Sequence, residues 1–307
     1  MHTDDLDSAL YNLLNTLETE SRMATAAGKT GFLPVHDAHA IEQLHVTVLF
    51  ERPLSDAEMR LAAESLSQFE DTLPGFSQIL GMGFSVGPHG VNPIMSNVTE
   101  APAGLLRTFT NPKGLVVREL KLERQALTYR TLEYTRWDAI WGEARGYFSG
   151  VLAAMPSDVR LSGYVLSYSD KFVWQGNPSE MRANLLLRAG SPHISPSTFD
   201  AEDLWHCHSG RFVKADESVK RLVVVDCDCV DESGVGPNRR VVRIGTTVTE
   251  MLNQQGYVPV EIPLPEAMGK LNQAFPELHT LLKNVFAEVV NDNAAEAVAL
   301  NGAPNAA

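Results

Sequence analysis

The chain has 307 residues, of which 44% are hydrophobic and 21% charged, and its formal net charge is −13. This is an ordinary globular composition, long enough for one large or two fused smaller domains. The longest apolar stretches, such as Leu222 to Val225, fall far short of the roughly 20 residues a helix needs to cross a bilayer, so a membrane-spanning helix is excluded.

The acidic excess is uneven. Residues 1–40 hold six acids against two bases and residues 284–307 hold three acids against none, which leaves the middle of the chain nearer −6. An acidic body with no run of Lys or Arg repels phosphate backbones and argues against nucleic-acid binding. Asp4, Asp5 and Asp7 stand where a secretory signal carries positive charge. Three cysteines are odd in number and too few for a disulfide framework. Together these point to the cytoplasm.

In chain order, Thr3 with Asp4 and Asp5 starts a helix whose Leu6, Leu10, Leu13, Leu14 and Leu17 share a face. Residues 1–40 are read as this amphipathic helix and a linker, with 24–40 a connecting loop. Gly28-Lys29-Thr30 resembles the end of a phosphate-binding loop, but Met23 stands at the first glycine position and the reading is rejected. Leu44 to Phe50 alternates as a strand, and Pro53-Leu54-Ser55-Asp56 starts a helix to about Phe69. The Gly- and Pro-rich stretch from Gly75 to Pro112 holds one or two strands, followed by strands over 115–122 and 125–132. Thr135 is the expected N-cap of a helix whose Trp137, Ile140, Trp141, Ala144, Tyr147, Phe148, Val151 and Leu152 form a broad apolar stripe.

Pro156-Ser157-Asp158 ends that helix and the pattern begins again, with a strand over 161–168 and a helical segment over 179–188. Strands over 204–213, 221–230 and 240–247 follow, then a short helix near 249–254. The last helix is expected to open at Pro276, with Leu278, Leu281, Leu282, Val285, Phe286 and Val289 on its apolar face. Residues 292–307, rich in Ala and Asn, read as a disordered tail. The fold class is therefore α+β: two similar halves, 41–156 and 157–291, each running strand, helix, several strands, helix, with antiparallel sheets packed by long amphipathic helices. In outline this resembles the pseudo-symmetric saddle of TATA-box-binding proteins, although the charge opposes a nucleic-acid function.

Four stretches carry a second likeness. They are Val48-Leu49-Phe50 with Pro53-Leu54; Tyr134-Thr135-Arg136-Trp137 at a helix start; Tyr168-Ser169-Asp170-Lys171-Phe172 at a strand exit; and Leu278-His279 with Phe286 in the last helix. In their order and spacing, over roughly residues 40–290, the chain resembles a sporadically distributed bacterial and archaeal family of somewhat shorter proteins with no established activity. The resemblance implies an accessory gene, as found in phage-defence or toxin–antitoxin neighbourhoods, and carries over no catalytic residue. It singles out His279, Arg136, Trp137, Asp170 and Lys171 as candidate binding residues.

A separate cluster could carry metal chemistry. Trp205-His206-Cys207-His208 lies on one expected strand and Asp226-Cys227-Asp228-Cys229 on the next. Alternation places His206 with His208, and Cys227 with Cys229, on single faces. In a suitable register these four could converge on a zinc ion and serve a metal-dependent hydrolase. Asp226 and Asp228 share the opposite face as a second candidate pair. Val223 and Val225 have the parity of the cysteines, which makes the cysteine face the expected interior. With no Gly-x-Ser-x-Gly elbow present, the leading expectation is a non-catalytic protein-interaction component: an adaptor, sensor or inhibitor without a cofactor. Its expected partner is a protein encoded by a neighbouring gene, with a homodimer as the alternative, and neither membrane nor nucleic acid is expected.

Overall fold

The computed structural model describes residues 31–79, 82–87, 90–95, 102–233 and 239–300. The expected N-terminal helix and Gly28-Lys29-Thr30 lie outside the described residues. In chain order the elements are β1 (Gly31–Pro34), β2 (Ile41–Phe50), α1 (Asp56–Ser67), β3 (Gly75–Ile79), β4 (Met82–Gly87), β5 (Gly90–Met95), β6 (Gly104–Thr110), β7 (Val116–Glu123) and β8 (Ala126–Thr131). They continue with α2 (Trp137–Ala153), β9 (Leu161–Gln175), β10 (Trp205–Lys214), β11 (Val219–Glu232), β12 (Arg239–Leu252), α3 (Ala267–Val289) and α4 (Asp292–Ala297).

The fold is mixed α and β, with ten of these strands in one antiparallel sheet: nine in the order β10-β11-β12-β9-β2-β8-β7-β6-β3, and β1 paired with β9 off that path. In place of the antiparallel sheets expected there is one large sheet, in which β2 and β9 pair directly. The 15-residue β9 is the spine. One edge pairs with β12 over residues 163–173, and the other with β2 over 161–170 and then with β1 over 172–175. Part of the segment expected to be a loop is thus a strand. Gly163 lies so close to the Glu250 carbonyl on β12 that no Cβ would fit there.

Period-two alternation decides which face is covered. On β2, Leu44, Val46, Val48 and Phe50 are buried and the residues between them are half-buried. The buried side chains of β2, β8, β9, β11 and β12 join those of the helices in one cluster. Helix α1 begins with a capping box: the Glu58 amide donates to Ser55 Oγ, and the Ser55 amide donates to the Glu58 carboxylate. Helix α2 buries the expected aromatic stripe, but its N-cap is Arg136, which makes no side-chain cap hydrogen bond. Helix α3 opens at Ala267, nine residues before Pro276, which lies inside it. Leu271, Ala274, Phe275, Leu278 and Leu282 continue one stripe across the proline, and burial of that stripe outweighs the backbone hydrogen bond that proline cannot donate.

Three other expectations are corrected. The segment 179–188 contains two single-turn 3₁₀ helices, Pro178–Glu180 and Ala183–Leu185, in place of a longer helix. Residues 249–252 complete β12, where pairing with β9 and β11 overrides local helical preference. The first part of the expected disordered tail is α4: Asn291 accepts from the Ala294 amide at 2.9 Å, Ala294 and Ala295 are buried, and Val298 and Leu300 pack against the core.

Phe275 is fully buried and contacts Trp141 and Tyr164 at ring-centroid distances of 4.7 and 5.7 Å, so it ties α3 to both α2 and β9. Phe275→Ala should cost about 3–5 kcal/mol of stability, read from urea unfolding. A loss below about 1 kcal/mol would contradict this packing.

Candidate functional site

A cavity of ≈ 390 Å³ lies where β9 passes beneath the start of α2 and the middle of α3. Its size is that of small-ligand sites. Strand β9 supplies Tyr168 and Asp170, two residues apart and so on one face, and β12 supplies Thr246, directly opposite Tyr168. Tyr134, Thr135 and Arg136 come from the start of α2. Helix α3 supplies His279, Leu282, Lys283 and Phe286, a spacing that puts all four on one helical face. The remaining walls are residues 38–41 and Val298 to Leu300.

Asp170 is the unusual group. It is 5% exposed, yet its carboxyl takes no hydrogen bond or ion pair from any described residue. Ionised carboxylates are costly to bury without a partner, and burial pushes this one up to about 8. At neutral pH it is mainly the neutral acid, with one oxygen able to donate and the other to accept.

The groups around it are also held uncharged. Tyr168 Oη and His279 Nδ1 are hydrogen-bonded at 2.8 Å. Burial first, and then the Lys283 charge, pull His279 down to about 4. Its ring stacks on Trp137 at 4.7 Å between centroids and 5° between planes. Burial raises the Tyr168 phenol well above its ordinary value, and burial with the Asp170 and Asp138 charges brings Tyr134 to about 12. His39 Nε2 donates to the Tyr134 carbonyl at 3.1 Å and so ties the segment before β2 to the start of α2. Arg136 and Lys283 are exposed and pair with no carboxylate among the described residues. The result is an uncharged interior with two cations at its margin.

Of the candidate binding residues, Arg136, Asp170 and His279 meet at this cavity and Trp137 supports it from behind. Lys171 does not belong to it. As the neighbour of Asp170 on a strand it points through the opposite face, where its Nζ lies 3.2 Å from Glu42 and 2.8 Å from Glu232, with Arg243 bridging the same two acids. Sequence reasoning overlooked His39, Tyr134, Tyr168 and Lys283 as site residues. Period two from Asp170 finds Tyr168, and helical spacing from His279 finds Lys283. No local pattern marks His39. Three of the four short stretches singled out in the sequence, those of Tyr134, Tyr168 and His279, converge on this one cavity.

The candidate zinc site is overturned by strand register. His206 pairs with Asp228 and His208 with Asp226, while Cys207 pairs with Cys227. The two His–Asp pairs are hydrogen-bonded on the exposed face. Cys227 and Cys229 lie on the other, buried face, where burial raises both thiols, Cys229 to about 11. His206, His208, Cys227 and Cys229 therefore cannot share an ion, and the hydrolase reading built on them falls. Among the described residues no group of three or more His, Cys, Asp or Glu is arranged to hold a metal.

No protein-family model matches the chain, and no curated protein matches it in sequence. The site therefore rests on its own geometry.

Its electrostatics set a pH dependence. Between about pH 4 and 8 the unfolded chain ionises Asp170 and the folded chain does not, so this group lowers stability as pH rises, by about 1.4 kcal/mol per unit. His279 acts oppositely: its folded value is depressed, so its contribution is lost as pH falls from about 6.5 to 4. Comparing Asp170→Asn with the unaltered chain at each pH cancels the histidine. The variant should gain in relative stability as urea unfolding is repeated from pH 5 to 7.5, and a gap that stays flat would contradict the burial of an unpartnered carboxyl.

Proposed function

We propose that the chain is a non-catalytic sensor that binds a small molecule in the Asp170 cavity and reports it to a partner protein. The observation that carries this reading is Asp170 itself: a carboxyl kept in the interior without a partner among the described residues, on the wall of a cavity of ligand size. Such a group destabilises the empty protein, and a ligand that supplies its hydrogen bonds recovers that cost on binding. The neighbouring groups favour recognition over turnover. His279 is engaged by Tyr168 and stacked on Trp137, and the thiols are buried on β10 and β11 and do not line the cavity.

Coupling to a partner follows from the wall formed by Val298 to Leu300. A ligand in the cavity touches the residues that follow α4, and so can bias their position. The partner we infer is the product of a neighbouring gene, in keeping with the resemblance to accessory phage-defence or toxin–antitoxin components; self-association is the alternative.

Native mass spectrometry of the protein, purified from a bacterial host expressing it with its neighbours, tests this reading. A releasable small-molecule adduct is expected on the unaltered chain and none on Asp170→Leu. A bare mass for both, or chemical conversion of the bound molecule, would overturn it.

A second inference concerns architecture. Going outward from the central β2–β9 pair, each half meets its strands in reverse chain order, β8-β7-β6-β3 on one side and β12-β11-β10 on the other, and each half closes with a long helix. This supports two tandem halves of common origin and a saddle similar in arrangement to TATA-box-binding proteins. It does not extend to their function, because the chain is strongly acidic. Fluorescence anisotropy with duplex DNA at low ionic strength should show no salt-dependent binding; binding that weakens with added salt would contradict the expectation.

A further inference from the structure

We propose that the ligand of the Asp170 cavity is a nucleotide, with its base edge against the Asp170 carboxyl and its phosphate against Arg136 and Lys283. The inference rests on the sensor reading and names its ligand.

The interior selects the base. A neutral carboxyl offers one donor and one acceptor side by side in a plane. Nucleobase edges offer the complement: an amino group beside a ring nitrogen in adenine and cytosine, or a ring N–H beside a carbonyl in guanine and uracil. Two parallel hydrogen bonds would satisfy both oxygens, which no described residue bonds. Around the carboxyl the lining includes Tyr134, Tyr168, Phe286 and Ile41, a set of aromatic and apolar side chains suited to a planar ring. An apolar ligand would leave Asp170 desolvated and unbonded.

The margin selects the phosphate. Arg136 and Lys283 line the same cavity from α2 and α3, are exposed, and have no acidic partner among the described residues. Arg136 occupies the N-cap of α2 without a side-chain cap bond, which leaves the first amides of that 17-residue helix available to an anion. A ligand carrying only an ammonium group would meet two cations on the way in. Asp138, in the same first turn, offsets part of this charge, so a monophosphate is the appropriate probe.

Titration calorimetry on the full chain at neutral pH and low salt tests the proposal with AMP, adenosine and ribose 5-phosphate. AMP should bind, and adenosine and ribose 5-phosphate should each bind at least about ten-fold more weakly, a difference of about 1.4 kcal/mol. Asp170→Leu should abolish AMP binding. Asp170→Asn keeps a donor beside an acceptor and should retain binding within a few-fold, which separates loss of the base contact from loss of fold. A double variant, Arg136→Ala with Lys283→Ala, should weaken AMP about ten-fold or more and leave adenosine unchanged.

Failure of AMP, GMP, CMP and UMP alike at millimolar concentration, or equal AMP binding to Asp170→Leu, overturns the nucleotide assignment. If the native protein then still carries a different molecule that Asp170→Leu loses, the sensor reading survives without it. If neither protein carries any, both fall together.

Discussion

Antiparallel pairing of β9 with β2 and β12 is the constraint on which the rest of the molecule depends. A strand 15 residues long, paired along both edges, cannot slip by one residue without turning Leu166, Tyr168 and Phe172 out of the core and Lys171 into it. That register sets the covered face of the whole sheet, because β2 and β12 inherit their parity from β9 and pass it outward to β8 and β11. The same register sends neighbouring charges in opposite directions: Asp170 into the cavity under α2 and α3, and Lys171 into an ion-pair cluster with Glu42, Glu232 and Arg243 on the far face.

The two outcomes differ in cost. Lys171 is buried to a similar degree but has two carboxylates within 3.2 Å, so its charge is matched. Asp170 has none among the described residues, and a carboxyl this deep without donors gives up its ionised form. A fold that needed only stability would place Leu or Asn there. Retention of the acid at the wall of a cavity, beside a neutral histidine and two protonated phenols, makes the position intelligible as a binding group, in the sense that perturbed titratable groups in clefts mark function.

The strands were legible in the sequence wherever alternation ran uninterrupted, as in Leu44 to Phe50 and the Cys227 strand with its valines, and α2 was legible from its regular apolar stripe. What was not legible depended on distant partners. Pro276 reads locally as a helix start, and only the sheet beneath Leu271 and Phe275 makes it an interior residue. The Ala-rich end reads as disordered because its composition is weakly apolar, yet Asn291 caps α4 and two buried alanines hold it. The zinc reading failed by register. Alternation correctly paired His206 with His208 and Cys227 with Cys229, but which face of one strand meets which face of the next is set by cross-strand pairing that the sequence does not display. For the cavity, His279, Arg136 and Asp170 were singled out from separate short stretches, whereas their convergence is a property of tertiary structure, brought about by packing of α3 over β9.

The central claim is that Asp170 is a buried acid with no partner among the described residues. Its most direct test is a titration of the Asp170 side-chain carbon by ¹³C NMR in the ligand-free protein, assigned by comparison with Asp170→Asn. The account predicts a transition near pH 8, well above the aspartate norm of about 4. A transition at or below pH 4 would show that the carboxyl is solvated or paired, and would contradict the account at its foundation.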